Sequence, residues 1–278
     1  QPQVNSALRY TIRATNVNPL QHDRGYSFEN SFEVGGNLLY LLDRFAFTPG
    51  AVEGSLPGLP FFRGGRRDNR LTYKQYFRYV TDLRRYYPVA RGRVLAWRFT
   101  GGFAQTFADS SLIPFDRRFY AGGGTSVRGW PLRSLGPGST GNYFGGDILL
   151  EGSAELRARL IRNMFAADWS GALFTDAGNV WLGPHSTGDP DAHFRFNRFY
   201  KQIAVGSGIG LRIAWEYIVM RFDLAWKVYD PTYHVVLDPV THTAVIDPAT
   251  GEPIQEARGF LPDGLDKPVL HFGIGHSF

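Results

Sequence analysis

Arg128 is the residue of this 278-residue chain whose setting could do the most chemistry. It lies in FYAGGGTSVRGW (119–130), between a glycine run and Trp130. A guanidinium is permanently charged, and in a confined site it needs fixed acceptors. Two acids further along can supply them: Glu155, and Asp176 in GALFTDAGNVW (171–181). Phe174 shares the parity of Asp176 and can pack on the guanidinium plane. Such chemistry is non-covalent: charge-assisted hydrogen bonds fasten one segment to two others. Spacing alone leaves open whether Arg128 points inward or is one more surface charge.

Other constellations carry less. With no cysteine, disulfides and thiolate metal sites are excluded. His234 and His242 fall in a long late connection, His271 and His276 on opposite faces of the last segment, and none has metal-site spacing. Asp238, Asp247 and Asp263 could meet calcium, but each precedes proline or glycine, which is turn chemistry. GSGIG (206–210) lies within a strand rather than between a strand and a helix, against a dinucleotide loop. No serine occupies a nucleophile elbow. The expectation is no enzyme, no metal and no cofactor. Net charge is +5 and dispersed; its densest cluster, Arg63, Arg66, Arg67 and Arg70, suits a solvated loop or anionic lipid headgroups, so no nucleic-acid partner is expected.

The elements that must position Arg128 are strands. In 147–160, Ile148, Leu150, Ala154, Leu156 and Leu160 share one face; Asp147, Glu151, Glu155, Arg157 and Arg159 share the other. In 220–228, Met220, Phe222, Leu224, Trp226 and Val228 stand opposite Arg221, Asp223, Ala225 and Lys227. In 203–215, Ile203, Val205, Ile209, Leu211 and Ile213 oppose Ala204, Gly206, Gly208, Gly210 and Arg212. Weaker alternation marks 8–14, 28–34, 73–83 and 95–103, and 171–181 adds another strand. The last ten residues put Leu270, Phe272, Ile274 and Phe278 on one face. The total is about nine strands, many near the roughly 9–11 residues of a tilted membrane strand.

Alternation also suits a soluble sandwich. Connection lengths favour the membrane. Short links at 17–25, 88–92, 161–165 and 214–217 alternate with long ones at 43–71, 104–143, 182–198 and 230–268, so one end of a meander carries turns and the other long loops. Mean hydropathy of −0.23 does not object, because barrel strands hide apolar residues at every second position. The 33 glycines and the 15% aromatic content suit curved strands and interfacial girdles. The expected fold is therefore all-β, an antiparallel transmembrane barrel. Nine is an odd count, whereas bacterial single-chain barrels have even ones, and an open edge in lipid leaves backbone groups unsatisfied. The expectation is that further strands come from the same or another chain. A start at Gln1 suggests a mature form or a fragment.

Several motifs together resemble the BamA/TamA superfamily of outer-membrane assembly proteins. FYAGGGTSVRGW resembles its loop-six segment, GGDILLEGSAELR (145–157) the strand after it, and GALFTDAGNVW the next. RGWPLRSLGPG (128–138) looks most like the TamA-like, TamL-type branch. VLHFGIGHSF, ending in Phe278, resembles the terminal recognition signal of outer-membrane proteins. Trp130 departs from the phenylalanine or tyrosine common after the glycine.

The resemblance implies a loop-six motif at Val127, Arg128, Gly129 and Trp130, docked on Glu155, Phe174 and Asp176 inside the lumen. It implies that residues 1–278 are the C-terminal nine strands of a sixteen-stranded barrel, without the family's periplasmic POTRA domains. Leu270, Phe272, Ile274 and Phe278 would belong to the closing strand of a weak seam. The implied function is assembly, insertion or translocation of outer-membrane proteins in a Gram-negative bacterium. The implied partners are outer-membrane lipids, client outer-membrane or surface proteins, the upstream strands and periplasmic domains, and periplasmic or lipoprotein subunits. A two-partner secretion transporter of the same superfamily, a passive porin and a barrel-borne enzyme are the alternatives.

Overall fold

The alternating segments pair in chain order into one antiparallel sheet. The computed structural model describes residues 6–17, 23–46, 55–56, 71–72, 74–107, 113–238, 241, 243–248, 250–276 and 278. The wall begins with β1 (Ala7–Thr15) and β2 (Gly25–Gly35), followed by α1 (Asn37–Ala46). Two short strands, β3 (Ser55–Leu56) and β4 (Leu71–Thr72), pair only with each other. The wall continues through β5 (Tyr76–Ala90), β6 (Arg93–Thr106), β7 (Ile148–Met164), β8 (Ala167–Trp181), β9 (Ala204–Ala214) and β10 (Val219–Val235). The last position beside β10 is shared by β11 (Gln255–Phe260) and β12 (Val269–Ile274).

Nine positions were expected and nine are occupied, with differences in detail. The strand read at 73–83 runs from Tyr76 to Ala90, because Arg84 to Ala90 stay paired with β6. Tyr73 and the arginine cluster at 63–70 lie outside the described residues, as does His242. The helix α1 leads into the long connection read at 43–71. The last long connection, read as loop, contains β11. Strands β5, β7, β8 and β10 are 15, 17, 15 and 17 residues long. They exceed the roughly 9–11 residues of a tilted bilayer-spanning strand.

Burial is inverted relative to a water-soluble sheet. On β7, Glu151, Glu155 and Arg157 are buried, while Leu156 and Leu160 are exposed. Around the wall Leu173, Ile209 and Leu270 are 59%, 51% and 68% exposed, whereas Glu155, Asp176 and Asp223 are at most 1% exposed. Among the described residues the inner face of the wall carries buried acids and arginines, and the large apolar residues of the strands lie mostly outward, which sets the soluble sandwich aside. An outward belt of this kind suits hydrocarbon, and an inward polar face suits a lumen. Among the described residues no helix is long and apolar enough to cross a membrane.

Two links at the short-turn end are tight. Arg91 and Gly92 join β5 to β6, and Phe165 and Ala166 join β7 to β8. Both residues of the second turn have positive φ, 56° and 58°, the two-residue geometry that matches strand twist. An L-residue in that region costs about 1–2 kcal/mol. Ala166→Gly should therefore raise the urea midpoint of the refolded barrel, worth about 0.5–1 kcal/mol after the looser unfolded chain is counted.

Candidate functional site: a loop clamped inside the wall

The β6–β7 connection folds back onto the polar face of the sheet. Its own small core gathers Ile113, Phe119, Ala121, Val127, Trp130 and Leu135 against Ala104, Leu149, Val180 and Ala204 of the wall. Its main chain pairs at Phe119 with Gly146 and at Ala121 with Leu135. Gly122 and Gly123 take φ of 95° and 109°, conformations open to glycine, and that lets the chain reverse between Ala121 and Val127. Successive strands then grip it. Arg78 of β5 donates to the Arg117 carbonyl at 3.2 Å, and Arg98 of β6 to the Thr125 carbonyl at 2.8 Å. Ser126 bonds the Glu151 carboxylate of β7.

At the tip sits Arg128, 1% exposed. Its Nε and Nη2 donate to the two oxygens of Asp176 at 2.7 and 2.8 Å. Its backbone N–H donates to the same carboxylate at 3.1 Å. Nη1 donates to Glu155 at 2.8 Å and to Asp223 at 3.4 Å. The guanidinium carbon lies 3.4 Å from the centre of the Phe174 ring, against its π-face. Burial by itself would loosen the Arg128 proton, but Asp176, Glu155 and Asp223 outweigh it and hold the pKa above the ordinary arginine value.

The register explains the convergence. Ser153 pairs with Asp176 and Asp176 with Gly206; one step along, Glu155 pairs with Phe174 and Phe174 with Gly208. Acids and ring therefore share a face at one height. The glycines of β9 make the room. A Cβ on Gly208 would stand 2.5 Å from the Phe174 ring, and one on Gly206 2.9 Å from the Gly129 nitrogen. Gly129 in turn rests on Gly206 and the Trp226 carbonyl. GSGIG is thus a floor stripped of side chains. Trp130 is buried beside it, with Lys227 Nζ 5.5 Å from its ring centre.

The structure brings Arg128 onto Glu155, Phe174 and Asp176, while Val127 and Trp130 join the apolar core and Gly129 lies against Gly206. It also adds residues that sequence reasoning did not assign to the site. Asp223 accepts from Arg128 and bonds Arg212, and Glu155 accepts from Arg157 at 2.8 Å and Arg212 at 3.0 Å. Sequence parity places Asp223 on the polar face of 220–228 and Arg212 on the small-residue face of 203–215, and that parity is the available signal. The arrangement can hold a loop against the wall; among the described residues no group of three histidines or acids could hold a metal.

The closing-strand set divides. Leu270, Phe272 and Ile274 are outward and exposed on β12. Phe278 does not share their face, contrary to expectation. It is buried against Tyr86 and Ala96, its carbonyl 3.4 Å from Arg157 Nη2. Gly275, at φ 87°, ends the alternation and turns the chain inward.

Residues 70–278 match the Omp85 superfamily domain. The sorting and assembly machinery component 50 homolog of Mus musculus is 32% identical over 130 residues, which cover 45% of this chain and 27% of that protein. Its Homo sapiens counterpart is 33% identical over 124 residues, covering 43% and 26%. This match therefore spans less than a third of those relatives' own length. Among solved structures, BamA from Haemophilus ducreyi lacking POTRA domains 1-3 aligns over 81% of this chain and 51% of its own, at a TM-score of 0.45 and 17% identity. CdiB from Acinetobacter baumannii aligns over 86% and 40%, at a TM-score of 0.32 and 12% identity. With a match running from residue 70 to 278, over most of its length, the chain belongs to the Omp85 superfamily.

Proposed function

We propose that the chain is the C-terminal part of an outer-membrane barrel that assembles, inserts or translocates other outer-membrane or surface proteins in a Gram-negative bacterium. The observation that carries this reading is the Arg128 clamp, which holds a long connection inside the wall where a passive channel would need open space. Superfamily membership supports it, as do relatives whose names describe sorting and assembly machinery. The RGWPLRSLGPG segment favours the TamA-like branch. Nine wall positions fit the last nine strands of sixteen, with the remaining strands and POTRA domains supplied by the same or another chain. Work of this kind is strand exchange in lipid, with no covalent step and no cofactor. Client proteins, lipids and periplasmic or lipoprotein subunits are its partners.

The test is client folding in liposomes that carry the full-length protein. Arg128→Lys keeps the charge but cannot reproduce the two-pronged bond to Asp176. The yield of heat-modifiable client barrel should fall about tenfold, as expected for losing a charge-assisted hydrogen bond. A wild-type protein that leaves client folding at its spontaneous rate and conducts ions steadily would instead be a porin.

A further inference from the structure

The final wall position is discontinuous. β11 and β12 lie end to end along β10, separated by residues 261–268. That excursion is pinned by Trp226, whose Nε1 donates to the Leu265 carbonyl at 2.9 Å, and by the Lys227–Asp263 ion pair at 3.3 Å. β12 is left six residues long, and among the described residues it pairs with β10 alone. β11 is equally short, so with the pinned excursion between them the two strands need not leave β10 together.

One side chain of β12 reaches the plug loop. His271 lies on the lumenal face, in register with Asp223. Its Nε2 is 2.7 Å from the Arg128 carbonyl oxygen. A carbonyl only accepts, so the imidazole must donate, with its proton on Nε2. The glycine run rests on the same residue: a Cβ on Gly124 would stand 3.3 Å from His271 Cβ and 3.2 Å from Arg221 Nη2. Arg128 is thus tied through its side chain to β7, β8 and β10, and through its carbonyl to β12.

We infer that His271 is a positioning residue that couples the end strand to the plug loop, so that detachment of β12 and release of residues 122–130 are one event. The use of this coupling in assembly rests on the function proposed above; the coupling itself does not.

Hydrogen exchange on the full-length protein in nanodiscs tests it. His271→Ala should raise exchange about fivefold in both 269–274 and 122–130, the scale of one hydrogen bond. His271→Gln, whose amide N–H can stand in for Nε2–H, should restore both. Phe272→Ala loosens β12 from the opposite face, by removing a ring 5.2 Å from Phe222. It should quicken the loop when His271 is present, but not in the double variant. Faster exchange in β12 with an unchanged loop, in either single variant, overturns the inference. If His271→Ala does not fold, Phe272→Ala alone decides between these outcomes. Uncoupled exchange alongside normal client folding defeats only the coupling; coupled exchange in a wild type that folds no client defeats only the functional reading.

Discussion

Asp176→Asn should free the plug loop from the wall. Asp176 takes three bonds from Arg128, two from the guanidinium and one from its backbone N–H. An asparagine offers one acceptor oxygen and points a donor at a donor. Glu155 cannot compensate, because it is already shared with Arg157 and Arg212. Removing one partner of a buried pair costs about 3–5 kcal/mol. That is at least as large as the net worth of any single one of the loop's other polar contacts, about 1–3 kcal/mol. Trypsin should then cut at Arg128 or Arg133 in the intact membrane protein, and the unheated band on a gel should lose its compact mobility. Wild-type protection in Asp176→Asn would show that the loop is held by its apolar core rather than by the ion pair.

Gly208→Val should produce nearly the same release without touching a charge. The added Cβ would collide with the Leu224 carbonyl and reach within 2.5 Å of Phe174 Cζ. The carbonyl belongs to the paired backbone of β10 and cannot step aside. The ring must therefore leave the face of the guanidinium, and overpacking adds about 1–3 kcal/mol of strain. Losing a desolvated cation–π contact adds about 2 kcal/mol. Gly208→Ala should show a weaker form of the same defect. Protease protection and unheated mobility report both, and a Gly208→Val protein indistinguishable from wild type would remove the floor of glycines from the account.

The wall was legible because its sequence period is unmistakable wherever one face is polar. β7 and β10 could be read residue by residue, and β9 from its glycines. Parity also put Glu155, Phe174 and Asp176 on inward faces, but it could not say that Arg128 folds back to meet them: that depends on a loop path, set by Gly122, Gly123 and the apolar contacts of Phe119 and Val127. Asp223 was visible as an inward acid without a visible reason to choose it. β11 carries only a weak alternation, Ala257 and Gly259 against Glu256 and Arg258, so its pairing with β10 left little trace. Phe278 was misassigned because one positive-φ glycine, Gly275, cancels the parity on which the assignment stood.

The pairing directions constrain whatever borders this wall. Each neighbouring pair, β1–β2, β2–β5, β5–β6, β6–β7, β7–β8, β8–β9, β9–β10 and β10–β12, is antiparallel. Reversing heading at each of these steps leaves β1 and β12 travelling the same way. If the two rims met each other, their carbonyls and amides would interlock in the slanted, evenly spaced pattern of co-directional neighbours, a break in an otherwise uniform cylinder. Uniformity returns only when an odd number of staves is interposed between the rims. The backbone alone thereby sets an arithmetic rule for any arc that would close this wall, independent of any side chain.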